Sequence, residues 1–348
     1  MRLLLAFCLL LLTGCSRPLP PGVTELVYAT PYSPNHPFSR ADQAWMDFIE
    51  QRSGGALQIR PIWSGALLSA DESMTELRHG VADIGLITPI YVRGGAHLIR
   101  VQSGFYSGVQ EIDQQVALYR CLQDKVPQVG HELEGLVVLA VQGGSLPGLI
   151  TRERPVRRLA DIRGMRIRAP TELMSVLRNL GADPVNMPMG EVYSALAKGV
   201  IDGVIAPPDT FRALHFAEVA RHFSTLRVPR GAYPARAIGA RRWARLSAQQ
   251  QAILTESTAV WEAALAREII AAADAGLQEA ATKQVSMHQI SPAEQQAFDA
   301  LYLRDAATNA AGLTRFGIDG MAAFRTARSS IASDGSVRCR SGAESAAS

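Results

Sequence analysis

The chain has 348 residues, of which 47% are hydrophobic, and a formal net charge of +3 at pH 7. This length and apolar content suffice for about two domains with a large buried core. The small net charge, without a run of lysine and arginine or a basic stripe with aromatic residues, argues against a nucleic-acid partner.

The N-terminus is typical of a bacterial export signal. Arg2 supplies a positive start, and the apolar stretch Leu3 to Leu12, too short to span a bilayer comfortably, ends in Leu-Thr-Gly-Cys15. This ending resembles the lipobox of bacterial lipoproteins, in which the signal is cut before the cysteine and that cysteine carries the lipid. We therefore expect residues 1–14 to be a signal peptide and Cys15 to anchor the protein, in the periplasm, to a bacterial membrane. The alternative is an ordinary secretory signal with an incidental cysteine.

Two further cysteines, Cys121 and Cys339, remain beyond this segment. An oxidising periplasm permits a disulfide between them, and two unpaired thiols are the alternative. Cys339 lies in a C-terminal tail, residues 328–348, whose end is rich in serine, glycine and alanine. We expect this tail to be disordered unless the bond fixes it.

The predicted elements then alternate between strands and helices. Residues 15–23 contain three prolines and form a tether. A strand follows over Glu25–Thr30, and then a helix in which apolar residues from Phe38 to Ile49 recur at helical spacing. The segment ADIGLIT, residues 82–88, is another strand. This alternation indicates parallel βαβ units and an α/β fold.

Two distant segments repeat one pattern. LRHGVADIGLI, residues 77–87, and LAKGVIDGVIA, residues 196–206, both have Leu, Gly, Val and Asp in this order, followed by an apolar strand. In each, the glycine can take the left-handed conformation that ends a helix. The repeat suggests two lobes of matching design, and chance similarity of a common helix–glycine–strand unit is the alternative.

The last third of the chain is mainly helical. Ser247 to Gln250 form a capping box, and no proline interrupts residues 248–288. This length indicates one long helix shared by both lobes. Residues 291–327 are predicted to form further helix with a break near Gly317.

Motifs for catalysis and for cofactor binding are missing from the sequence. GGSLPG, residues 143–148, lacks the spacing of a nucleophile elbow, and neither a Walker loop nor a dinucleotide-binding glycine motif occurs. The seven histidines are scattered and form no H-x-x-x-H pair, which argues against a zinc site. We therefore predict no catalytic residue, no metal and no cofactor. A lipid-anchored hydrolase that uses Ser145 is a remote alternative.

Four segments occur in a characteristic order: ATPYSPNHPFSRADQAWMDFIEQRSGGALQIRPIWSGALL, LADIRGMRIRAP, LGADPVNMPMGEVYSALAKGVIDG and LSAQQQAILTES. Together they resemble the solute-binding proteins of TRAP transporters, the tripartite ATP-independent periplasmic systems for organic acids. The similarity runs from about Glu25 to Ala327. It implies a two-lobed α/β periplasmic binding protein of the Venus-flytrap type, with an interlobe cleft and long C-terminal helices. It also implies a carboxylate ligand and separate permease subunits in the membrane, driven by an ion gradient.

The resemblance gives Arg168 a specific role. In the family, the second arginine of the strand in IRGMRIRAP, residues 162–170, makes a paired salt bridge with the ligand carboxylate. A guanidinium suits this role because its parallel N–H donors match the two carboxylate oxygens. Ligands of open α/β sheets also bind beyond the carboxyl ends of strands, where Arg168 lies. Arg166, where family members often carry lysine, is expected to be solvated or structural.

The sequence also departs from the family pattern. Ala206 stands where an asparagine is common, Met189 where an aromatic residue is common, and residues 144–149 lack the second arginine often found there. These changes remove hydrogen-bond donors and leave an apolar wall, so we expect a monocarboxylate with an apolar or aromatic body. Weaker candidates for ligand contact, for which packing or a loop role is the alternative, are Thr30, Thr88, Tyr91 and Tyr233.

Each predicted lobe is built from two parts of the chain. The first would comprise residues 24–145 and 234–270, and the second residues 146–233 together with the C-terminal helices over 271–327. Ligand held by Arg168 would be enclosed by hinge bending, and the closed form would be read by the permease. A sensory receptor is an alternative partner for the same binding protein.

Overall fold

The computed structural model describes residues 20–92 and 94–340 of the chain. The predicted signal peptide and Cys15 lie outside the described residues. The strands in the described part are β1 (Thr24–Ala29), β2 (Leu57–Ile62), β3 (Ile84–Leu86), β4 (Leu136–Gln142), β5 (Gly148–Thr151), β6 (Arg166–Arg168), β7 (Asp183–Val185), β8 (Gly203–Ala206), β9 (His222–Ser224), β10 (Tyr233–Gly239) and β11 (Ser286–His288).

Helices of very different length connect these strands. The α-helices in the described part are α1 (Pro37–Arg52), α2 (Ser73–His79), α3 (His97–Gln102), α4 (Ile112–Lys125), α5 (Pro127–Glu132), α6 (Met174–Asn179), α7 (Met189–Ala197), α8 (Thr210–Ala213), α9 (Phe216–Val219), α10 (Ala240–Trp243), α11 (Ala248–Thr282), α12 (Pro292–Ala311) and α13 (Gly320–Ser330). Within residues 20–92 and 94–340, none of them is long and apolar enough to cross a membrane.

Two mixed sheets form the framework of two lobes. The first lobe is built on the sheet with strand order β2-β1-β3-β10-β4, and the second on the sheet with order β11-β9-β5-β8-β6-β7. β1 runs parallel to β2 and β3, and β6 parallel to β7 and β8, as the βαβ pattern predicts. β5 and β10 run antiparallel to their neighbours, so parallel units describe only part of each sheet. The reason is the connectivity, because the chain leaves the first sheet after β4 and returns to it through β10, directly beside β4.

The two copies of the repeated sequence pattern lie one in each sheet. In the first copy α2 ends at Gly80, whose φ is 79°, and the chain continues into β3. In the second copy Gly199, with φ 66°, follows α7, and the chain continues into β8. Side chains with a Cβ avoid this left-handed region, which explains why glycine ends both helices. The repeat thus has a structural counterpart in each lobe, as predicted.

Helix α11 joins the two lobes. Its 35 residues extend over about 50 Å, and it starts with the predicted capping box, in which Ser247 Oγ accepts from the Gln250 amide at 3.2 Å. Trp261, in its first half, is fully buried in the core of the first lobe. In its second half, Gly276 lies so close to the second lobe that a Cβ at this position would overlap the carbonyl oxygen of Pro208. The prediction of a long helix shared by both lobes is confirmed.

The C-terminal helices return to the first lobe. Phe298 and Tyr302 of α12 still pack in a core of the second lobe. From Ala306 onward, however, the buried residues belong to the core of the first lobe, and α13 packs against α4. The expected assignment of residues 271–327 to the second lobe is therefore wrong for its last part, because the apolar face of α4 is covered by α13.

The segment after α13 is held against the first lobe. A disulfide joins Cys339 to Cys121 of α4, with the Cα atoms 5.4 Å apart. Ile331 and Val337 form an antiparallel bridge between these points. The tail over residues 328–348 was expected to be disordered unless this bond fixes it, and for residues 328–340 that exception applies, since the bond and the bridge hold this part in place.

A buried ion pair lies at the centre of the first lobe. Asp42 of α1 and Arg236 of β10 are fully buried and 2.9 Å apart. The Asp42 carboxylate also accepts hydrogen bonds from the Tyr28 hydroxyl at 2.5 Å and from Trp261 Nε1 at 2.8 Å. One carboxylate therefore connects β1, α1, β10 and α11.

Candidate ligand-binding site

A cavity of about 120 Å³ lies between the two lobes. This volume holds several water molecules or one small organic molecule. The first lobe contributes residues that follow β1 and β3, and the second lobe contributes residues at and beyond the ends of β6 and β8, as expected for the carboxyl ends of strands. The polar side chains that line the cavity are Tyr32, His36, Thr88, Tyr91, Ser103, Arg168, Glu172, Asp209, Thr210, Arg230 and Tyr233.

Arg168 is the last residue of β6, and it faces this cavity with only 2% of its surface exposed. Its Nε donates to the carbonyl oxygen of Met187 at 3.1 Å, and its Nη2 donates to the hydroxyl of Tyr91 at 2.6 Å. Among the residues that the structure describes, no carboxylate makes an ion pair with this guanidinium. A buried cation without a counter-ion is costly, so the position favours an anion from outside the protein.

Arg166 lies two residues earlier on the same strand and behaves differently. Its side chain is 53% exposed, and its Nε pairs with Asp183 Oδ2 at 2.9 Å. Such an exposed pair contributes little to stability. The expectation of a solvated or structural role for Arg166 agrees with this position at the outer end of β6.

Thr88 and Tyr91 of the first lobe both line the cavity. The Thr88 hydroxyl donates to the carbonyl oxygen of Ala70 at 2.6 Å, which orients the loop after β3. Tyr91 N donates to the Thr88 carbonyl oxygen at 2.9 Å in the same loop. The Tyr91 ring centroid lies 5.7 Å from Arg168 Cζ, so the tyrosine meets the guanidinium with its ring and its hydroxyl.

Met189 and Tyr233, both candidates for ligand contact, also line the cavity. Met189 is the first residue of α7, and it supplies part of an apolar wall. Tyr233 is the first residue of β10, where the chain crosses back to the first lobe, and its hydroxyl accepts from Gln142 Nε2 at 3.2 Å.

Ala206 and Thr30 do not line the cavity, contrary to expectation. Ala206 ends β8 and is fully buried in a core of the second lobe, while Ile205 and Pro207 on either side of it face the cavity. The reason is that successive side chains of a strand point to opposite faces. Thr30 is 1% exposed behind the wall, and Tyr32, two residues later, lines the cavity in its place.

A second arginine, which the sequence analysis missed, lines the same cavity. Arg230 lies in the segment between β9 and β10, and its guanidinium occupies the space beside Gly144, where a Cβ would overlap Arg230 Cζ. Its Nη1 also lies 3.4 Å from the carbonyl oxygen of Ser145. Residues 144–149 contain no arginine, as the sequence analysis states, but Arg230 brings a guanidinium to the cavity wall from another part of the chain. The sequence feature that could have indicated this arginine is Gly144, because its missing side chain leaves room for an arginine from a distant part of the chain.

Two carboxyl groups in the cavity have shifted pKa values. Burial raises the pKa of Glu172 to about 7, and the nearby Arg168 and Arg230 oppose this shift. Burial likewise raises the pKa of Asp209 to about 6, opposed by Arg230. Glu172 Oε2 is buried without a hydrogen-bond partner. Both groups thus change charge close to neutral pH. Arg230 acts on both of them, and Arg168 acts on Glu172.

Aromatic side chains after β1 form one wall of the cavity. Tyr32 stacks on His36 with ring centroids 4.0 Å apart, and Phe38 meets both rings at steep angles. Burial lowers the pKa of His36 to about 3, helped by the nearby Arg236 and Arg40. His36 is therefore neutral, and this wall can pack against an aromatic or apolar group.

The described residues contain no group of three or more His, Cys, Asp and Glu side chains that could hold a metal ion. What the cavity offers is non-covalent: two guanidiniums, several hydroxyls, two carboxyls and an aromatic wall. Such an arrangement is suited to holding a small anion with an apolar body.

A family model matches most of the chain. Residues 28–307 match the model DctP, which is described as bacterial extracellular solute-binding protein, family 7.

Curated relatives are similar over a shorter part. A solute-binding protein of Albidiferax ferrireducens is 28% identical over 194 residues, which are 53% of this chain and 54% of the relative. The 2,3-diketo-L-gulonate-binding periplasmic protein YiaO of Escherichia coli is 24% identical over 190 residues, which are 53% of this chain and 56% of that protein. The chain thus spans about half the length of the curated relatives it matches.

Solved structures with the same fold cover more of the chain. A TRAP solute-binding protein from Rhodoferax ferrireducens, in complex with copurified benzoate, has a TM-score of 0.79 at 24% identity and covers 88% of this chain and 97% of its own. A TRAP periplasmic solute-binding protein from Bordetella bronchiseptica, with bound (R)-mandelate and (S)-mandelate, has a TM-score of 0.76 at 20% identity and covers 88% and 98%. These similarities establish the two-sheet periplasmic binding protein fold with long C-terminal helices.

Proposed function

Because the chain belongs to the bacterial extracellular solute-binding proteins of family 7, we propose that it captures an organic monocarboxylate in the cavity between its lobes. It would serve as the periplasmic component of a TRAP-type transporter and hand the solute to separate permease subunits. One observation carries the proposal: Arg168 is buried at the cavity wall, and no carboxylate of the described residues pairs with it. The family consists of binding proteins and not of enzymes, so no residue receives a catalytic role.

The geometry of Arg168 suits a carboxylate. Its contacts with Met187 and Tyr91 use Nε and Nη2, which leaves other N–H donors of the guanidinium free. Two parallel N–H groups match the two oxygens of a carboxylate, and each charge-assisted hydrogen bond contributes about 1.5–3 kcal/mol. Lysine cannot replace this geometry, because it presents a single point charge.

The walls of the cavity support an apolar or aromatic ligand body. Phe38 lies on the side of the first lobe, and Leu173 and Met189 lie on the side of the second. The related proteins of known structure that hold benzoate or mandelate bind a small carboxylate that contains an aromatic ring. We therefore place this chain with binders of small monocarboxylates that carry an apolar or aromatic group.

Ligand capture would be coupled to closure of the lobes. Arg168 belongs to the second lobe and Tyr91 to the first, so an anion on Arg168 is enclosed from both sides. The lobes are connected through the segments between β4 and β5 and between β9 and β10, together with the helices α11 and α12. Bending at these connections would open and close the cavity, and the closed surface would be presented to the permease.

The proposal includes a lipid anchor in the periplasm. Cys15 follows an apolar stretch with a lipobox-like ending, and a multi-chain lipid holds a folded domain stably at a membrane surface. Expression in a bacterial host tests it: the wild-type protein should sediment with membranes and incorporate labelled palmitate, whereas Cys15→Ser should do neither. A wild-type protein that is released without label would contradict the anchor and leave the binding function unaffected.

Ligand capture is tested by a thermal-shift screen against a library of organic acids. A ligand at about 100 times its dissociation constant should add about 2.7 kcal/mol of stability. Arg168→Lys should abolish or greatly weaken the shifts given by carboxylates. Arg166→Lys, on the exposed end of the same strand, is the matched control and should leave them unchanged. Shifts that survive Arg168→Lys would show that this arginine is not the anchor.

A further inference from the structure

We propose that Arg230, Asp209 and Glu172 form a second polar subsite that receives a hydroxyl group of the ligand, so that hydroxylated monocarboxylates are preferred over unsubstituted acids and over dicarboxylates. This inference rests on the function proposed above. It concerns groups of the cavity that capture of a carboxylate by Arg168 leaves unused.

Arg230 is held in place independently of Arg168. Its guanidinium lies over Gly144, and the Gly144 peptide is clamped by the fully buried Gln115. Gly144 N donates to Gln115 Oε1 at 2.8 Å, and Gln115 Nε2 donates to Gly144 O at 3.0 Å. The cation therefore rests on a fixed surface at the crossing between the lobes. Its hydrogen bond to the Ser145 carbonyl oxygen is separate from the hydrogen bonds of Arg168 to Met187 and Tyr91.

The acidic groups of the subsite lack strong partners. Asp209 is 7% exposed, and Glu172 has a buried oxygen without a hydrogen bond. In the described part of the chain, neither makes an ion pair with Arg168 or Arg230, although both feel the charge of Arg230. These groups are thus buried, polar and available to a ligand.

The charges of the cavity favour a hydroxyl over a second carboxylate as the other polar group of the ligand. Two guanidiniums face two carboxyls, and the raised pKa values of Glu172 and Asp209 leave the cavity with a small positive charge near pH 7. One ligand carboxylate balances that charge, whereas a second would meet two acidic side chains. A hydroxyl fits better, because it can donate to a carboxyl oxygen and accept from Arg230 at the same time.

A ligand without the hydroxyl would leave these groups desolvated and unpaired. Sites built around a hydrogen bond to a substrate hydroxyl reject the analogue that lacks it, because buried polar groups then lose their partner. For one hydroxyl we expect a preference of about ten- to a hundredfold.

Calorimetric titration of matched acids tests the inference. The probes are benzoate with its 3- and 4-hydroxy derivatives, phenylacetate with mandelate, and phthalate as a dicarboxylate. In the wild-type protein, at least one hydroxylated acid should bind ten- to a hundredfold more tightly than its parent, and phthalate should bind more weakly than either. Arg230→Met and Asp209→Leu should each reduce that ratio to less than threefold, whereas Arg227→Met, at an exposed arginine of the same segment, should preserve it.

The outcomes separate this inference from the proposed function. If acids bind through Arg168 but hydroxylated and parent acids differ by less than threefold, the subsite is overturned and carboxylate capture stands. The tightest binding by phthalate would also overturn the subsite. If no acid binds, the proposed function fails and the subsite with it. Should Arg230→Met fail to fold, the same affinity ratio measured for Asp209→Leu and for Glu172→Leu decides between these outcomes.

Discussion

The hydroxyl of Tyr91 accepts a hydrogen bond from Arg168 Nη2 at 2.6 Å, across the boundary between the two lobes. The two residues come from different sheets, since Tyr91 follows β3 and Arg168 ends β6. The group that would hold the ligand in the second lobe is thereby positioned by a side chain of the first. The hydrogen bond between Tyr91 and Arg168 therefore links ligand binding to the approach of the two lobes.

Replacing Tyr91 with phenylalanine should weaken carboxylate binding about three- to tenfold, because one hydrogen bond to the guanidinium is worth about 1 kcal/mol. Calorimetric titration with the best acid from the screen measures this change. The double variant of Tyr91→Phe with Arg168→Lys should lose little more binding affinity than Arg168→Lys alone, because the effects of substitutions at two residues in contact are not additive. Additive losses would show that Tyr91 acts independently of Arg168.

Carboxylate binding should become tighter as the pH falls from 8 to 6. The pKa of Glu172 is raised to about 7 and that of Asp209 to about 6, so both lose protons as the pH rises from 6 to 8 and then add negative charge beside the ligand anion. Ligand binding therefore favours the protonated forms and takes up protons, and we expect about three- to tenfold tighter binding at pH 6 than at pH 8. Titrations at pH 6, 7 and 8 measure the slope.

Glu172→Gln isolates the contribution of one carboxyl to this slope. Because the amide carries no charge at any of these pH values, the slope between pH 7 and 8 should become flatter. Asp113→Asn, on the exposed surface of α4, should leave the slope unchanged. A slope of opposite sign in the wild-type protein would rule out proton uptake by these groups.

Asp42→Ala should destabilise the protein by about 3–5 kcal/mol, because it leaves the fully buried Arg236 without its counter-ion. Urea unfolding of the unliganded protein measures this loss. Asp47→Ala, on the exposed face of the same helix, should change stability by less than about 0.5 kcal/mol. A similar small change for Asp42→Ala would mean that water reaches the Arg236 guanidinium.

Removing the disulfide with Cys121→Ser and Cys339→Ser should lower the free energy of unfolding by about 2–4 kcal/mol, because the bond closes a loop between residues 218 positions apart. Ligand affinity should remain as in the wild type, since neither cysteine lines the cavity. Thermal unfolding with and without a reducing agent provides the comparison. A wild-type midpoint that is insensitive to reduction would contradict the contribution of this bond.

The sequence predicts those parts of the fold and the site that depend on local patterns. Helix α11 follows from its capping box and the absence of proline, and Arg168 follows from its place at the end of a strand within a family motif. Ala206 shows the limit of such reasoning. A shift of one position along a strand moves a side chain from the cavity to the core, and Ala206 lies in the core.

Features that depend on distant parts of the chain were not predictable in the same way. Arg230 reaches the cavity by passing over Gly144, and no local pattern connects these positions. The return of α13 to the first lobe likewise depends on an apolar face of α4 that lies far earlier in the sequence. Packing between remote segments decides both features.

Gly276 has a consequence for which solutes fit, although it lies on α11 and outside the cavity. Since a Cβ there would overlap the carbonyl oxygen of Pro208, even an alanine would force apart α11 and the Pro208–Asp209 turn, of which Asp209 lines the cavity. The helix thus packs directly against this turn. The absence of a side chain at Gly276 determines how closely the turn can approach the helix. Gly276 does not line the cavity, yet it thereby limits the width of the solute that the protein can enclose.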